Sequence, residues 1–221
     1  MIESLNHNNG TTETTIVIQG SGFASTNCQN EVSFGLDVCT VTESAIDQIG
    51  CKINALNKPT VAVQQEISLY VWNRGYALVM INNLYDRAFR LLPAVTDIIP
   101  NWGSTAGGTS VTIQGSGFGN DVDAVLVIIG GYACEINNVM YSEIVCETQS
   151  GSEGNNSLVV QVSINSQFLT AVCQTTNICQ YSYVNDRTPT LSSVSPKIVT
   201  GPTTLTVTGS RFGSDPADVV V

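Results

Sequence analysis

The hexapeptide Ile-Gln-Gly-Ser-Gly-Phe occurs at residues 18–23 and again at 113–118, 95 residues further on. Cys39 and Cys134 share that spacing, and so do Cys51 and Cys146. Three landmarks at one offset identify an internal repeat. A third copy opens late in the chain, where Leu205–Gly213 answers Val111–Gly119 and Val194-Ser195-Pro196 answers Ile98-Ile99-Pro100. The repeat divides the chain into residues 1–92, residues 93–188 and the opening strands of an incomplete third unit, residues 189–221. The last residues, ending at Val221, lie inside a Val-rich run that corresponds to Ala124–Ile129. The reading is therefore an internal segment of a longer protein.

Each unit reads as all-β. Thr14–Gln19 and Thr109–Gln114 alternate β-branched with polar residues and end at Gly. Ala124–Ile129 is a short apolar run of the kind found in a buried sandwich strand. Ile67–Trp72 and Leu158–Ile164 alternate again, and Asn73-Arg74-Gly75-Tyr76 predicts a turn into a further strand at Ala77–Ile81. No apolar 3.6-residue period is long enough for a helix. Short strands punctuated by Gly and Pro about every ten residues indicate a β-sandwich. Pro93 and Pro189 mark the junctions, and the short connections there predict a stiff, elongated array.

Charge narrows the function classes. Eighteen acidic residues against eight basic ones give a formal net charge of −10. Nucleic-acid binding draws its affinity from Lys and Arg on phosphates, so no nucleic-acid partner is expected, and anionic membrane surfaces are disfavoured for the same reason. The longest apolar stretch is too short to span a bilayer, and the first residues lack the apolar core of a signal peptide. His7 is the single histidine and stands in a polar lead-in without partners. No Ser-His-Asp set, Cys-His pair or enclosed acid pair is present. The Gly-x-Gly-Phe step is no phosphate loop, because no helix follows it. The chain reads as no enzyme, with no cofactor.

The second repeat carries Pro93-x4-Ile98-x-Pro100, then Gly107-Gly108-Thr109-x-Val111-Thr112-Ile113-x-Gly115-x-Gly117-Phe118. It continues with Val127-x-Ile129-Gly130-x3-Cys134, Ile144-Val145-Cys146-Glu147-Thr148 and Tyr181-x-Tyr183. This pattern resembles the IPT/TIG family of immunoglobulin-like sandwiches. The first repeat matches well as far as Cys51, and it has Thr12-Glu13 in the place of Gly107-Gly108. The resemblance implies tandem immunoglobulin-like β-sandwiches. Its paired cysteines are similar to the extracellular, fibrocystin-like and plexin-like branch, and the absence of a Cys-rich module between units favours the fibrocystin-like type. The basic loops of the DNA-binding branch are missing.

Seven cysteines fit that compartment. Repeat symmetry pairs Cys39 with Cys51 and Cys134 with Cys146, each closing a short hairpin. Cys173 and Cys179 have no counterpart in the first repeat and are close enough to clip the last hairpin. Cys28 is left over, as a free thiol or a bond to something outside this segment. A zinc site needs short Cys-x2-4-Cys spacing or histidine partners, and neither is present. Asn120-Asp121-Val122-Asp123 and the pair Asp215 and Asp218 offer two carboxylates per loop, short of the six to eight oxygens of Ca²⁺, and read as solvated charge. Asn9 and Asn155 head N-glycosylation sequons in Gly- and Asn-rich stretches expected to be loops. Phe23 and Phe118 are expected in the core. Trp72, Tyr76 and Trp102 are candidates for a sugar platform, with core or junction packing preferred.

These features indicate a non-catalytic structural segment of a long extracellular tandem-repeat protein, forming a surface coat, adhesive ectodomain or filament. Its expected partners are further repeats in the same chain or neighbouring copies. The alternatives are a receptor ectodomain with a protein ligand, and an accessory sandwich of a secreted carbohydrate-active enzyme.

Overall fold

In the computed structural model, which describes residues 1–53, 63–83, 86–164 and 166–212, the period-two segments are strands, and the described residues contain no α-helix. The first repeat supplies β1 (Ile2–Leu5), β2 (Asn9–Gly10), β3 (Ile16–Gly20), β4 (Asn30–Phe34), β5 (Asp37–Ser44), β6 (Gln48–Ile53), β7 (Gln64–Val71), β8 (Gly75–Tyr76) and β9 (Ala88–Leu91). The second supplies β10 (Ala94–Ile99), β11 (Trp102–Gly103), β12 (Ser110–Ser116), β13 (Val125–Ile129), β14 (Tyr132–Ala133), β15 (Glu135–Met140), β16 (Glu143–Glu147), β17 (Gly154–Ile164), β18 (Gln167–Thr170), β19 (Val172–Cys173) and β20 (Gln180–Tyr183). The third contributes the hairpin β21 (Thr190–Ser195) and β22 (Thr206–Ser210).

In the second repeat the strands form two sheets, in the orders β15-β16-β12-β10-β19 and β11-β20-β17-β13-β14, with β18 beside β17. The first repeat has the same pairings joined into one continuous path, β1-β3-β6-β5-β4-β7-β9-β2, with β8 beside β7. The joint is β5. Its first residues pair with β4 (Phe34 opposite Asp37), and its later ones pair with β6 (Val41 opposite Cys51). In the second repeat the corresponding run is broken into β14 and β15, with Cys134 between them. The run Ala124–Ile129 becomes β13, in which Val125, Val127 and Ile129 are buried while Leu126 and Ile128 are half-buried. Each sandwich closes over its own apolar cluster, one running from Ile2 to Leu91 and the other from Val95 to Tyr183.

Two expected strands change on folding. β3 starts at Ile16 rather than Thr14, because the Thr14 hydroxyl accepts from the Thr11 amide at 2.9 Å and holds a turn. Residues Ala77–Ile81 are no ladder strand. Only Val79 bridges, parallel to Ile2, with the Met80 amide donating to the Ile2 carbonyl at 2.8 Å. The second repeat keeps the same connection as the two-residue parallel pair of β19 with β10.

The Gly-x-Gly-Phe step has two different glycine requirements. The second glycine, Gly22 or Gly117, takes φ near 76° or 77°, a region costly for residues with a side chain. The first has ordinary backbone angles but no room. A Cβ on Gly20 would lie 2.0 Å from the Met1 carbonyl oxygen, and one on Gly115 would lie 2.0 Å from that of Ala94 and 2.3 Å from the Phe118 ring. In both repeats the first strand bulges directly opposite this glycine, between Ile2 and Ser4 and between Val95 and Asp97. The third unit repeats the arrangement with Gly209 against Thr190 and Phe212, and with Arg211 at φ 63° in the second glycine's place.

The cores differ in polarity. Asn30 is buried in the first sandwich and donates to the carbonyls of Ala24 and Thr26 and to the Ser44 hydroxyl, while its own carbonyl accepts from the Ala24 amide. The matching position in the second sandwich is the buried Val125. Tyr181 and Tyr183 are buried where the first sandwich has Phe89 and Leu91, with their rings edge-on at 5.1 Å. Tyr183 donates to the Gln149 carbonyl at 2.8 Å. The Tyr181 hydroxyl lies beside Thr109 and Thr148 without a well-formed hydrogen bond. Burial pushes both phenols above their ordinary value, and for Tyr183 the neighbouring Tyr181 adds to the shift.

Gly115→Ala is expected to destabilise the second sandwich by about 3 kcal/mol through overpacking, more than Gly117→Ala at about 1–2 kcal/mol for the left-handed backbone. Hydrogen exchange of the β12 amides reads this sandwich alone, and the opposite order would overturn the assignment. The raised phenols have a second consequence. The unfolded chain loses these protons first, so the stability they contribute is intact below the ordinary tyrosine pKa and is lost as pH rises past it. The second sandwich is expected to weaken in that alkaline range, and Tyr181→Phe with Tyr183→Phe is expected to flatten the loss. An unchanged alkaline loss in the double variant would refute this.

Candidate functional site

The structure brings six of the seven cysteines together in pairs. Cys39–Cys51 has its sulfurs at 2.08 Å, Cys134–Cys146 at 2.15 Å and Cys173–Cys179 at 2.03 Å. The first two occupy the same corner. Cys39 sits where β5 leaves β4 for β6, and Cys134 sits between β14 and β15, so each bond staples the strand as it changes sheet. Each closes a 12-residue separation, which removes about 3 kcal/mol of unfolded-state entropy. The third bond does not clip a hairpin. β19 and β20 belong to different sheets, so Cys173–Cys179 spans the crossover from one layer of the sandwich to the other.

Cys28 is a free, exposed thiol. It lies on the rim of an open groove of about 650 Å³ on the outer face of the first sandwich, formed by β4, β5, β7 and β8. Tyr76, one of the sugar-platform candidates, forms a wall of this groove together with Tyr70, their rings edge-on at 5.3 Å. The alternation of Ile67, Leu69 and Val71 with Ser68 and Tyr70 already turns Tyr70 outward. Its meeting with Tyr76 required the β7–β8 register.

The remaining candidates stand apart. Trp72 is 59% exposed in the turn after β7 and belongs to no core. Trp102 packs at the junction with the third unit, where the Arg187 guanidinium lies 4.2 Å from its ring centroid. That junction is tied to the second sandwich by Thr188, which accepts from the Thr105 amide at 2.9 Å, and by Asn185, which donates to Glu153 at 2.6 Å. Asn9 and Asn155 are exposed, but they lie in β2 and β17 rather than in loops. The Asn155 carbonyl accepts from Ser182, its cross-strand neighbour. His7 is exposed. Asp121 accepts from the Asp123 amide at 3.1 Å and holds a turn. Asp215, Asp218 and Val219–Val221 lie outside the described residues. Among the described residues no three His, Cys, Asp or Glu side chains come together as metal ligands, and no helix is long and apolar enough to cross a membrane. Phe23 and Phe118 are buried beneath the two Gly-x-Gly steps.

Alkylation of the unreduced native chain is expected to add one label, at Cys28, and seven only after reduction and unfolding. Peptide mass spectrometry that finds label at Cys39, Cys51, Cys134, Cys146, Cys173 or Cys179 before reduction would overturn the pairing.

The description "IPT/TIG domain" belongs to the family profile that matches residues 1–85 and 93–183. Human fibrocystin-L is 34% identical over 220 residues, 100% of this chain and 5% of the relative. Mouse fibrocystin-L is 35% identical over 205 residues, 93% of this chain and 5% of the relative. Human plexin-A2 is 34% identical over 119 residues, 53% of this chain and 6% of the relative. The chain thus spans about a twentieth of the length of the fibrocystin-L relatives it matches. With both sandwiches matched in tandem, the chain belongs to the IPT/TIG domain family.

Proposed function

We propose that this chain is a non-catalytic, receptor-like stretch of a long extracellular protein in which IPT/TIG sandwiches follow one another to build a cell-surface coat, adhesive ectodomain or filament. The units are read as 1–92, 93–188 and 189–221. Likeness to fibrocystin-L along the whole chain supports the reading, as do three disulfides, which persist in oxidising compartments. In that setting Asn9 and Asn155 are the N-glycan acceptors, both on exposed strand positions.

The third hairpin is the observation that carries the proposal. Leu191, Val194 and Phe212 are exposed, while their counterparts Val95, Ile98 and Phe118 are buried in the second sandwich; Leu191 is 70% exposed where Val95 is 1%. Covering each such side chain contributes about 1.5–3 kcal/mol, and an open sheet with an apolar face invites pairing. A hairpin built like the opening of a sandwich calls for the rest of one. Further strands of the same polypeptide supply it, or a neighbouring copy does by strand addition.

The 221-residue chain, secreted with its disulfides formed, is expected to self-associate and to bind a hydrophobic dye through this hairpin. Leu191→Asp with Val194→Asp is expected to reduce both. A monodisperse 23.5 kDa species that leaves the dye unbound would overturn the proposal.

A further inference from the structure

The groove beside Cys28 has a chemistry that the fold does not dictate. Its floor is the paired face of β5, β4 and β7, where Val38, Ser33 and Ser68 lie in one row across the strands, and Glu31, Tyr70 and Tyr76 lie in the next. Thr40 completes the lining on the β5 side. The equivalent face of the second sandwich carries Leu126, Ile128, Val159 and Gln161 at the places of Glu31, Ser33, Ser68 and Tyr70. Identical backbone pairing thus supports a face of three aliphatic residues and a glutamine in one repeat and a hydroxyl, carboxylate and aromatic face in the other.

The groove's volume of about 650 Å³ falls in the range of small-ligand sites, roughly 300–1,000 Å³. Among the described residues the side chains of Glu31, Ser33, Thr40 and Ser68 make no hydrogen bond or ion pair, so their donors and acceptors face the groove unengaged. Tyr76 is 77% exposed and stands edge-on to Tyr70, leaving a ring face open. Among the described residues no Lys or Arg lines the groove, so a phosphate or sulfate ester would meet the Glu31 carboxylate without a cation from them to offset it. An extended peptide added as a strand needs a free sheet edge, whereas the floor strands are already paired on the groove face. A sugar ring matches what remains. Its C–H face packs on tyrosine, and its hydroxyl rim exchanges hydrogen bonds with serine, threonine and a carboxylate.

We propose that the outer groove of the first sandwich is a binding site for a neutral oligosaccharide, with Tyr70 and Tyr76 as the stacking wall and Glu31, Ser33, Thr40 and Ser68 as the hydrogen-bonding floor. This function goes beyond the architectural role and stands or falls separately from it. The test titrates the disulfide-bonded chain with the hexaoses of cellulose, xylan, mannan and chitin, by calorimetry and by protection of Cys28 from alkylation. Saturable binding of at least one hexaose is expected, with slower labelling of Cys28 in its presence. Tyr76→Ala is expected to weaken binding about tenfold or more, and Ser68→Val to weaken it without changing the melting temperature. Tyr132→Ala, an exposed tyrosine of the second sandwich, is expected to leave binding unchanged. The proposal is overturned by no saturable binding of any hexaose up to about 10 mM, by binding that survives both groove variants, or by saturable binding of a neutral hexapeptide in place of sugar.

Discussion

A missing side chain sets the geometry of every unit in this chain. At Gly20, Gly115 and Gly209 the carbonyl of the residue leading into the bulged first strand, and the ring of the following phenylalanine, occupy the space a Cβ would need. The bulge faces that glycine in each unit, with Ile2 opposite Gly20, Val95 opposite Gly115 and Leu191 opposite Gly209. The approach orients the first strand against the second, seats the phenylalanine under the loop and leaves the first strand's apolar residue facing inward. Arg211 shows which glycine is indispensable. The second one is replaced in the third unit at a positive φ, while the first is kept.

The second shared device is the stapled corner. A β-strand that pairs with one sheet and then the other must bend sharply, and the bend interrupts its ladder. Cys39 and Cys134 stand at that bend and are tied to the neighbouring strand at Cys51 and Cys146. With the corner covalently held, the rest of the core is free to vary. The first sandwich buries a polar hub at Asn30 and closes with Phe34 against Phe89. The second uses Val125 and an edge-on tyrosine pair, and adds the Cys173–Cys179 crossover bond. Most buried polar groups in folded proteins are paired, and Asn30 meets that demand with four hydrogen bonds, to Ala24, Thr26 and Ser44.

Variation then concentrates on the outer faces. One repeat presents aliphatic residues at positions where the other presents serine and glutamate, and glutamine where the other presents Tyr70. The third hairpin exposes an apolar face whose counterparts are buried in the other two units. Units that share a backbone but differ in core and face can each carry a surface of their own.

Much of the architecture was legible in the residues. The 95-residue period, the alternation in β3, β7 and β12 and the Gly-x-Gly-Phe steps encode the positions of strands and turns, because side-chain facing and left-handed backbone are local properties. The symmetric cysteines pointed to their partners because two copies of one spacing constrain each other. What the chain alone left undecided was which sheet each strand joins. That depends on hydrogen bonds between residues far apart in sequence, so Cys173–Cys179 read as a hairpin clip and turned out to be a bond between layers. For the same reason Ala77–Ile81 looked like a full strand and kept a single bridge, and Asn9 and Asn155 looked like loop residues and proved to be paired. Tyr76 was visible as an exposed aromatic, but the hydroxyl floor beside it exists only because register sets β5, β4, β7 and β8 side by side. Local chemistry determined the repeat and its strands; cross-strand register, which is decided only on folding, determined the surface.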